Sequence, residues 1–454
     1  MTRVLIIGGG PAGMSAAQAL AAHGAHPILI DEATQVGGQG FRAPQPGLRL
    51  DMMRLLGAQH SKHARAHADF AAIRERVDYR PGTLAWAIEP SRAHVVSGGR
   101  ADAIDFDRLL IASGASDRVM PVPGWTLPGV FTLGGAQLAL KHQGCLIGPR
   151  VVFAGSSPLL ALAAAQYKRM GADVVAVCDE TGLAGKIAAA PGLARAPATF
   201  VYGLSLLAEL RREGAPLRLG AALTRIEGAS RVEAVTMRDA RGRETRVACD
   251  AVALGHGLKP ETQLAELAGA RFSFDPATRL WALAIDADGR AGEALYLAGD
   301  GAAVGGAEAA QASGELAALA ALQDMGQPVD ARRLARLRAK VARLRAVQRS
   351  LARAFAWPAA CAAALPDDCV LCRCENVTAG EARAALASGR IPPEVNRVKA
   401  ITRCGMGRCQ GRFCGPALQE VVAAQANVDI ATVGRLRAQA PIKPIQLDAT
   451  DEPR

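Results

Sequence analysis

Residues 3–20 read RVLIIGGGPAGMSAAQAL and decide the fold of the chain. Val4 to Ile7 form a short apolar run, typical of a buried parallel strand, and an Ala-rich helical stretch follows. Between the two, Gly8, Gly10 and Gly13 have the GxGxxG spacing. In this motif the first glycine permits a tight turn, the second lets backbone N–H groups approach a pyrophosphate, and the third lets the helix pack close to the strand. The stretch therefore predicts a dinucleotide-binding unit.

A second apolar run ends at Asp31, and Glu32 follows it. At the tip of the second strand of such a unit, a carboxylate can accept hydrogen bonds from both ribose hydroxyls. A glycine-rich turn that serves only packing is the alternative interpretation. We favour dinucleotide binding because the strand, the helix and the acidic residue all stand where the motif requires them. The motif alone does not distinguish FAD from NAD.

The composition indicates an α/β protein with several domains. The 454 residues are enough for about two to four domains, and half of them are apolar. Aromatic residues make up 4%, too few for a surface that stacks bases, so we expect no nucleic-acid partner. The sequence opens without a signal peptide and has no long uninterrupted apolar run, which predicts a cytoplasmic protein. At most, it would associate peripherally with the inner face of a membrane.

An internal repeat of the first unit begins at Arg150, followed by VVFAGSSPLL. Gly155 keeps the first glycine of the motif, but Ser157 and Leu160 replace the second and third. A side chain at position 157 hinders the close approach of a pyrophosphate, and one at position 160 pushes the helix away from the strand. We therefore expect a second Rossmann-like domain with a degenerate nucleotide site. Whether NAD(P) or another nucleotide binds there stays open.

Two later stretches have the character of strand ends that border a ligand site. A strand-like run leads into the small-residue turn that contains Ala112 and Gly114. Another apolar run, Leu295 to Leu297, leads into Gly299 and Asp300 before a helical stretch. Asp300 is therefore either a turn or N-cap residue or a carboxylate that binds a polyol chain.

A basic amphipathic helix is predicted between Ala331 and Phe355. Apolar residues recur there at three- and four-residue steps, and arginines fill much of the remainder. This pattern favours an interdomain helix with a solvated basic face. The alternative is a docking surface for an acidic partner or for membrane headgroups.

A helical stretch upstream carries His60, His63 and His67 on one face. Three imidazoles at this spacing could in principle bind a metal ion. We favour the interpretation that they belong to a solvated helical face.

Six cysteines lie close together near the C-terminus: Cys369, Cys372, Cys374, Cys404, Cys409 and Cys414. A CxC pair and a later CxxxxC pair give four thiolates, which can hold a [2Fe-2S] cluster or a zinc ion. The tight CxC spacing, the nearby glycines and the upstream redox-type domain favour the cluster over zinc or over buried structural thiols. We choose Cys372, Cys374, Cys409 and Cys414 as ligands and treat the other two as surplus.

Several motifs together resemble a known family. RVLIIGGGPAG, the loop at Gly37 to Gln39, PVPGWTLPGV and LYLAGDGAAVGG are similar to the two-dinucleotide-fold flavoproteins of thioredoxin-reductase type. With CRCENVTAGE and ITRCGMGRCQGRFCG, nearly the whole chain resembles the α (FAD-containing) subunits of opine oxidase, hydrogen cyanide synthase and D-hydroxyproline or proline dehydrogenase complexes. The C-terminal segment resembles the [2Fe-2S] domain named after bacterioferritin-associated ferredoxin, in which the CxC and CxxxxC cysteines are the ligands.

The resemblance implies FAD in the first site and a [2Fe-2S] cluster at the C-terminus. It implies that the FAD site contains Gly8, Gly10, Pro11, Ala12, Gly13, Asp31, Glu32, Gly38, Gln39, Ala112, Gly114, Gly299 and Asp300. It also implies three partners, namely a substrate-oxidising flavoprotein β subunit, a small ferredoxin-like subunit, and an amino-acid-like substrate. The redox cysteine pairs of the disulfide-reducing relatives are missing from this sequence, so we do not expect disulfide reduction.

We expect an α/β fold with two Rossmann-like domains and a small helical [2Fe-2S] domain. The FAD domain is expected to be discontinuous, with the NAD-like domain inserted in it. The expected segments are 1–147 and 253–325 for the FAD domain, 148–252 for the NAD(P)-like domain, 326–365 for the basic linker helix, 366–430 for the [2Fe-2S] domain and 431–454 for the tail.

The leading functional hypothesis is membership of a heteromeric FAD-dependent oxidoreductase that acts on a CH–NH donor, in which this chain relays electrons to an acceptor. One alternative is a stand-alone NAD(P)H-dependent flavoenzyme of ferredoxin-reductase type, and the other is a non-catalytic redox scaffold. No catalytic base stands out in the sequence, and we interpret His256 as a structural residue.

Overall fold

The computed structural model describes residues 2–446, so Met1 and the end of the expected tail, 447–454, lie outside the described residues. The first sheet contains five parallel strands, in the order Leu295–Leu297, Arg108–Ile111, Val4–Ile7, Ile28–Ile30 and Asp78–Arg80. Its central strand is the one that opens the sequence, and all its residues are buried. A continuous apolar run suits this position because both faces of a parallel sheet are covered.

Two helices, Pro11–Ala22 and Ala307–Asp324, cover one face of the first sheet. Small residues let these helices approach closely: a Cβ at Gly314 would lie 2.0 Å from the carbonyl oxygen of Ala12. The other face packs against an antiparallel sheet formed by Thr83–Glu89, Arg92–Ser97 and Arg100–Asp105. This first unit is the scaffold of the predicted FAD site.

The second sheet repeats the design of the first. Its five parallel strands run in the order Leu217–Leu219, Asp173–Asp179, Arg150–Gly155, Ala251–Gly255 and Val130–Thr132. A small antiparallel sheet packs against it, formed by Ala222–Glu227, Ala234–Arg238 and Glu244–Ala248. The expected NAD(P)-like segment is 148–252. The sheet extends past both of its ends, because the edge strand Val130–Thr132 lies before residue 148 and the strand Ala251–Gly255 continues beyond residue 252.

Two short antiparallel strands, Ala115–Asp117 and Leu258–Pro260, join the two units. Backbone hydrogen bonds between Arg118 and the residues His256 and Gly257 extend this ribbon. The chain therefore leaves the first unit, builds the second, and returns to complete the first. The predicted α/β architecture, with one Rossmann-like unit inserted in another, is confirmed.

Shorter elements fill the connections of these two units. The remaining helices are Met52–Leu56, His60–Ala71, Leu133–Gln143, Leu159–Arg169, Leu183–Leu193, Pro197–Arg212 and Gln263–Leu267, with 3-10 turns at Gly57–Gln59, Arg74–Arg76 and Gly299–Gly301. A hairpin of Phe272–Asp275 and Leu280–Leu283 completes them. None of the helices in the described residues is long and apolar enough to cross a membrane.

The basic helix is present at Ala331–Ala354. Its apolar stripe, which includes Leu337 and Val341, is buried, and the helix packs on helices of both dinucleotide units. Its cations also serve structure, since Arg338 Nε donates to Asp288 Oδ1 at 2.6 Å. This helix is therefore an interdomain element, which agrees with the interpretation favoured from its sequence pattern.

The C-terminal unit is small and mainly helical. It contains the strands Val370–Cys372 and Val377–Thr378 and the helices Ala359–Ala363, Ala379–Ala387, Val395–Thr402 and Gly415–Ala426. Thr378 and Glu381 form a capping box at the start of one helix, which satisfies two backbone N–H groups there. Its own apolar core includes Leu371, Val395 and Leu418.

Beyond residue 430 the chain returns to the first unit. Ile442 is buried in the core of that unit, and its N–H donates to the carbonyl oxygen of Trp86 at 3.1 Å. Lys443 forms an ion pair with Glu32. The C-terminal segment thus ties the cysteine-rich unit to the first sheet.

Candidate functional site

The glycine motif forms the tight turn that its spacing predicts. Gly8 has a φ of +107°, and a Cβ there would lie 2.3 Å from the carbonyl oxygen of Ala112. A Cβ at Gly13 would lie 1.8 Å from the carbonyl oxygen of Gly8. Only glycine allows this packing of turn, helix and neighbouring strand. Pro11 and Ala12 open the helix, so its N-terminal N–H groups face the turn.

Asp31 lies at the tip of the second strand, beside the glycine turn. Its Oδ2 accepts a hydrogen bond from the N–H of Gly9 at 2.5 Å, and its Oδ1 accepts one from Ala33 at 2.7 Å. Burial raises the pKa of Asp31, and the two backbone donors oppose that shift. The carboxylate is therefore fixed in the place where a ribose would be bound. Glu32, the next residue, is exposed and pairs with the C-terminal segment through Lys443.

The glycine-rich loop after Asp31 closes over the turn. Gly38 has a φ of +53°, and a Cβ there would lie 2.8 Å from the Cα of Gly10. Gln39 follows at an exposed position. The backbone of the loop is held from behind, where His67 Nε2 lies 2.8 Å from the carbonyl oxygen of Phe41.

Two of the three histidines of the upstream helix have a role that the sequence did not suggest. His63 Nε2 lies 3.1 Å from the carbonyl oxygen of Arg42, next to the contact made by His67. Burial lowers the pKa of His63. Two of the three side chains thus anchor the loop that borders the glycine turn.

Asp300 lies in the 3-10 turn that follows another strand of the same sheet, Leu295–Leu297. Its Oδ1 accepts hydrogen bonds from the N–H groups of Gly305 and Gly306, at 2.8 and 3.0 Å, and burial raises its pKa. Gly299 has a φ of +68°, and a Cβ there would lie 2.8 Å from the Cβ of Ala12. The turn that contains Asp300 therefore lies against the start of the motif helix.

The turn at Ala112 and Gly114 closes the ring of loops. A Cβ on Gly301 would lie 2.6 Å from Ser113 Oγ and 3.0 Å from the N–H nitrogen of Gly114. The glycine turn, the Asp31 tip, the Gly38 loop and the Asp300 turn thus meet at the carboxyl ends of one parallel sheet. This is the place where open α/β sheets bind nucleotides, and the close backbone approaches suit a pyrophosphate.

The turn of the second unit has the same tight shape as the glycine turn of the first unit, but the residues around it contact other residues of the chain. Gly155 has a φ of +139°, and a Cβ there would lie 2.0 Å from the carbonyl oxygen of Gly255. Asp179 stands opposite Gly155, in the place that Asp31 occupies in the first unit. Lys186 Nζ, however, lies 2.7 Å from Asp179 Oδ2. The carboxylate expected to take a ribose is therefore already paired.

The neighbouring acidic residue of the second unit, Glu180, lies beside a buried histidine. Glu180 Oε2 lies 3.4 Å from Nε2 of His256, whose ring is buried. The other ring nitrogen, Nδ1, lies 3.1 Å from the backbone nitrogen of Met120 and accepts its N–H. Ser157, which replaces the second glycine, is buried and accepts the N–H of Leu159 at 3.2 Å. Ser157 and the two acidic residues at the strand end of the second unit thus all contact other parts of the same chain.

The cysteines of the C-terminal unit converge. The Sγ atoms of Cys372, Cys404 and Cys414 all lie within 4.8 Å of one another, and all three residues are buried. Hydrogen bonds from the thiols of Cys404 and Cys414 lower the pKa of Cys372 to about 2. The pKa of Cys414 is raised by its hydrogen bonds to Cys372 and Cys404 and by burial.

The other two predicted ligands lie next to each other. The pKa of Cys374 is raised by burial and by its neighbour Cys409, whose backbone N–H donates to the Cys374 sulfur and opposes the rise. A Cβ at Gly407 would lie 2.4 Å from the Cβ of Cys374, so the loop needs glycine to bring these residues together. Cys372 and Cys374 come from a strand end and the turn after it, and Cys404, Cys409 and Cys414 come from a glycine-rich stretch. Together these thiols fit a [2Fe-2S] cluster, which takes four thiolates.

Cys404 is the thiol that the sequence pattern did not reveal, since it stands outside both cysteine pairs. Cys369, the other surplus cysteine, belongs to the core of the unit, and burial raises its pKa to about 11. The choice of Cys372, Cys374, Cys409 and Cys414 as the ligand set stays a prediction. The structure adds Cys404 as a neighbour that could replace one of them.

A buried ion pair connects the cysteine unit to the first unit. Arg412 Nε donates to Glu261 Oε2 at 2.6 Å, and another guanidinium N–H of Arg412 donates to the carbonyl oxygen of Cys409 at 3.2 Å. The N–H of Glu261 donates to the carbonyl oxygen of Gly114, in the loop that borders the predicted FAD site, at 2.9 Å. A short run of contacts thus joins the two predicted cofactor sites.

Family models match both parts of the chain. The pyridine nucleotide-disulphide oxidoreductase model matches residues 2–318. The chain belongs to this family. A second model, the BFD-like [2Fe-2S] binding domain, matches residues 370–424 and covers all five converging cysteines. The chain therefore combines a flavin- or nucleotide-binding fold with a [2Fe-2S]-binding domain, and its cysteine group fits such a cluster.

Named relatives are similar along almost the full length. An opine oxidase subunit of Rhizobium meliloti is 35% identical over 98% of this chain and 86% of its own length. The hydrogen cyanide synthase subunit HcnB of Pseudomonas protegens is 34% identical over 98% of this chain and 96% of its own length. The crystal structure of L-proline dehydrogenase from P. horikoshii has a TM-score of 0.70 at 20% identity, over 98% of this chain and 78% of that one. The predicted resemblance is confirmed, and the chain is a flavin-dependent oxidoreductase.

Proposed function

We propose that this chain is the FAD- and [2Fe-2S]-containing subunit of a heteromeric dehydrogenase. Its complex would oxidise an amino acid, an imino acid or an opine, such as proline, D-hydroxyproline or glycine, to an imine. This chain would relay electrons from a substrate-oxidising flavoprotein subunit, with a small ferredoxin-like subunit in some complexes, to an acceptor. The full-length relatives, whose names describe them as subunits, support a partner, and we expect the complex in the cytoplasm, at most peripherally bound to the membrane.

The observation that carries the proposal is the connection between the two predicted cofactor sites. From Gly114 in the first site, a backbone hydrogen bond leads to Glu261, whose carboxylate binds Arg412, which in turn binds the backbone of Cys409. A dinucleotide site and a cluster-type cysteine group that are joined by so few contacts suit electron transfer between them.

Each site has residues that fit its proposed cofactor. Asp31 and Asp300 would hold the ribose and the ribityl chain of FAD, and the turn at Gly10 would receive the pyrophosphate. Cys372, Cys374, Cys409 and Cys414 would hold the cluster. When bound, FAD and the cluster together convert a two-electron oxidation into one-electron steps.

The experiment is reduction of the purified complex under anaerobic conditions. Candidate substrates, namely proline, D-hydroxyproline, glycine and opines, are added singly, flavin absorbance is followed, and the reduced cluster is detected by electron paramagnetic resonance. We expect one class of substrate to bleach the flavin and produce the cluster signal. A Cys409→Ser complex should still bleach but should not pass electrons to an external acceptor. Failure of every substrate to reduce the wild-type complex would refute the proposal.

The stand-alone NAD(P)H-dependent alternative receives less support. Lys186 pairs with Asp179, and His256 lies beside Glu180, at the strand end where a nicotinamide nucleotide would place its ribose. We therefore expect excess NADH to leave the flavin of the isolated chain oxidised. Rapid bleaching by NADH would favour the alternative instead.

A further inference from the structure

A cavity of about 260 Å³ lies at the junction of the two dinucleotide units and the basic helix. Ala302 to Val304, which come two to four residues after Asp300, form one wall. Ser156 and Pro158, from the degenerate turn of the second unit, form another. The end of the basic helix, with Trp357 just after it, covers a third side. The cavity is thus next to the predicted FAD site but separate from its glycine turn.

Three guanidinium groups line this cavity, and the most buried belongs to Arg118. Its residue is 4% exposed, and its guanidinium stacks 3.8 Å above the ring of Trp357. One N–H group donates to the carbonyl oxygen of Thr278 at 2.8 Å, whereas Nε has no hydrogen-bond partner in the described residues. Burial lowers the pKa of Arg118 to about 9. A buried cation with an unsatisfied donor calls for an anion nearby.

The other two guanidinium groups, those of Arg345 and Arg349, stand one turn apart on the basic helix. Burial and the charge of Arg349 both lower the pKa of Arg345. Among the described residues, no carboxylate lies within 4.0 Å of any of the three cavity-lining guanidinium groups. The nearby charge of Glu420 acts on Arg118, but that carboxylate forms its ion pair with Arg279, so none of the three guanidinium groups has a carboxylate of its own.

The cavity wall contains one carboxylate, that of Asp275, and its oxygens are already used. Oδ1 accepts the N–H of Ala277 at 3.0 Å, and Oδ2 accepts the hydroxyl of Thr278 at 2.8 Å. The rest of the wall is largely apolar and aromatic, with Phe355 and Leu351 among its residues. Such a wall suits a ligand that has a hydrocarbon body as well as a negative charge.

We propose that this cavity binds a small organic carboxylate of amino-acid size, held by Arg118, Arg345 and Arg349. Its volume lies just below the roughly 300–1,000 Å³ typical of sites for drug-sized ligands, which leaves no room for a dinucleotide. The planar fork of arginine matches a carboxylate, and the apolar wall accounts for the carbon skeleton. Electron relay alone requires no anion site, so this inference goes beyond the proposed function. It adds a carboxylate-binding site on this chain to the substrate site that the proposed function places on the partner subunit.

Isothermal titration calorimetry of the full chain with its bound cofactors tests the site. The probes are L-proline and iminodiacetate as carboxylates, pyrrolidine as the matching amine without a carboxylate, inorganic phosphate, and NADH. We expect saturable binding of at least one carboxylate and none of pyrrolidine. Because a charged hydrogen-bond partner is removed, Arg345→Gln and Arg349→Gln should each weaken that binding at least about tenfold.

Arg343→Gln is the matched control, since Arg343 is exposed on the same helix and does not line the cavity. Its affinity should equal that of the wild type. The inference is overturned if no carboxylate binds, if pyrrolidine binds as well as L-proline, if only phosphate or NADH binds, or if Arg343→Gln weakens binding as much as the cavity variants do. Arg349 is exposed at the mouth, so its variant tests the site without disturbing the core. Reduction of the wild-type complex by substrate is measured separately, which keeps failure of the site distinct from failure of the proposed function.

Discussion

Arg412 Nε and Glu261 Oε2 meet at 2.6 Å across the boundary between the cysteine unit and the first dinucleotide unit. Their side chains are only 9% and 13% exposed, so solvent screens this pair weakly. Burial opposes ionisation of Glu261, but Arg412 and Lys259 outweigh it and lower the pKa of the carboxyl. Another N–H of the same guanidinium donates to the carbonyl oxygen of Ile442 at 2.7 Å. A single arginine therefore ties together the cysteine unit, the C-terminal segment and the strand that leads back to the first unit.

Glu261→Gln should loosen this junction. The substitution keeps the size of the side chain but leaves Arg412 buried without its counter-charge, which typically costs about 3 kcal/mol. We expect the free energy of unfolding to fall by about that amount and electron transfer between flavin and cluster to slow. Urea unfolding and stopped-flow reduction of the cluster would measure the two effects.

A surface pair provides the control for this substitution. Arg333 Nε donates to Glu315 Oε1 at 2.6 Å, but the arginine side chain is 52% exposed. Glu315→Gln should therefore change stability by less than about 1 kcal/mol and leave electron transfer unchanged. Equal effects of the two substitutions would show that the Glu261 pair has no special role in joining the units.

The cysteine ligands can be separated by single substitutions to serine. Cys409→Ser and Cys414→Ser should remove the visible absorption of the cluster and its iron, because each takes away one of four thiolates. Cys404→Ser should keep both if the predicted set is right. Iron analysis and the visible spectrum of each purified variant decide the question.

Cys369→Ser is the matched control, since Cys369 lies in the core of the same unit, apart from the converging thiols. It should retain a full complement of iron. Should Cys404→Ser lose the cluster while Cys374→Ser or Cys409→Ser keeps it, Cys404 would replace that residue in the ligand set.

The sequence predicted those parts of the site that depend on local backbone geometry. Gly8 and Gly13 recur at a fixed spacing because a turn of given shape requires them there, and Asp31 follows at the end of the next strand. The same holds for the CxC pair, where two ligands lie on one short stretch. Such local requirements produce a recognisable pattern in the sequence, so they can be predicted before the fold is known.

Contacts between distant segments left no such pattern. Glu261 and Arg412 are 151 residues apart, and the residues around each of them contain no pattern that predicts the contact. Cys404 lies beside Cys372 only because the two helices between them, Ala379–Ala387 and Val395–Thr402, fold back and bring the two residues together. The edge strand Val130–Thr132 belongs to the second sheet although it precedes the repeat in sequence. The sequence did not predict this pairing, because a three-residue strand shows too little periodicity to be recognised.

Two glycines of the first motif should respond differently to alanine. A Cβ at Gly13 would lie 1.8 Å from a backbone oxygen, so Gly13→Ala should destabilise the fold by about 1–3 kcal/mol. A Cβ at Gly10 has its nearest neighbour at 3.7 Å, an ordinary contact, so Gly10→Ala should fold normally. It should nevertheless retain less FAD, because the new methyl group stands where the pyrophosphate approaches.

Thermal unfolding and the flavin content of the purified protein would test this pair. Each variant is the control for the other. Gly13→Ala is expected to lower the thermal stability, whereas Gly10→Ala is expected to lower only the flavin content. A Gly10→Ala protein with full FAD content would contradict the assignment of the first site.

Lys141 should destabilise the native state at neutral pH. The residue is 8% exposed, and burial alone lowers the pKa of its ammonium group from 10.5 to about 8. Below pH 8 the group is charged in both the folded and the unfolded chain, so the full penalty of burying a charge is present. Between pH 8 and 10.5 the folded chain has lost the proton that the unfolded chain still binds, so this contribution to stability improves as pH rises. Above pH 10.5 both states are neutral and the penalty is gone.

Lys141→Met should therefore raise the free energy of unfolding at pH 7 by up to about 3–4 kcal/mol, since each unit of pKa shift corresponds to about 1.4 kcal/mol. The gain should shrink steadily between pH 8 and 10, as measured by urea unfolding at several pH values. Lys62→Met is the control, because Lys62 is exposed on the surface of its helix and should show neither the gain nor its pH dependence. A gain that does not vary with pH would mean that the methionine acts by packing, and a loss of stability would mean that the ammonium group has a partner that holds it in its charged form.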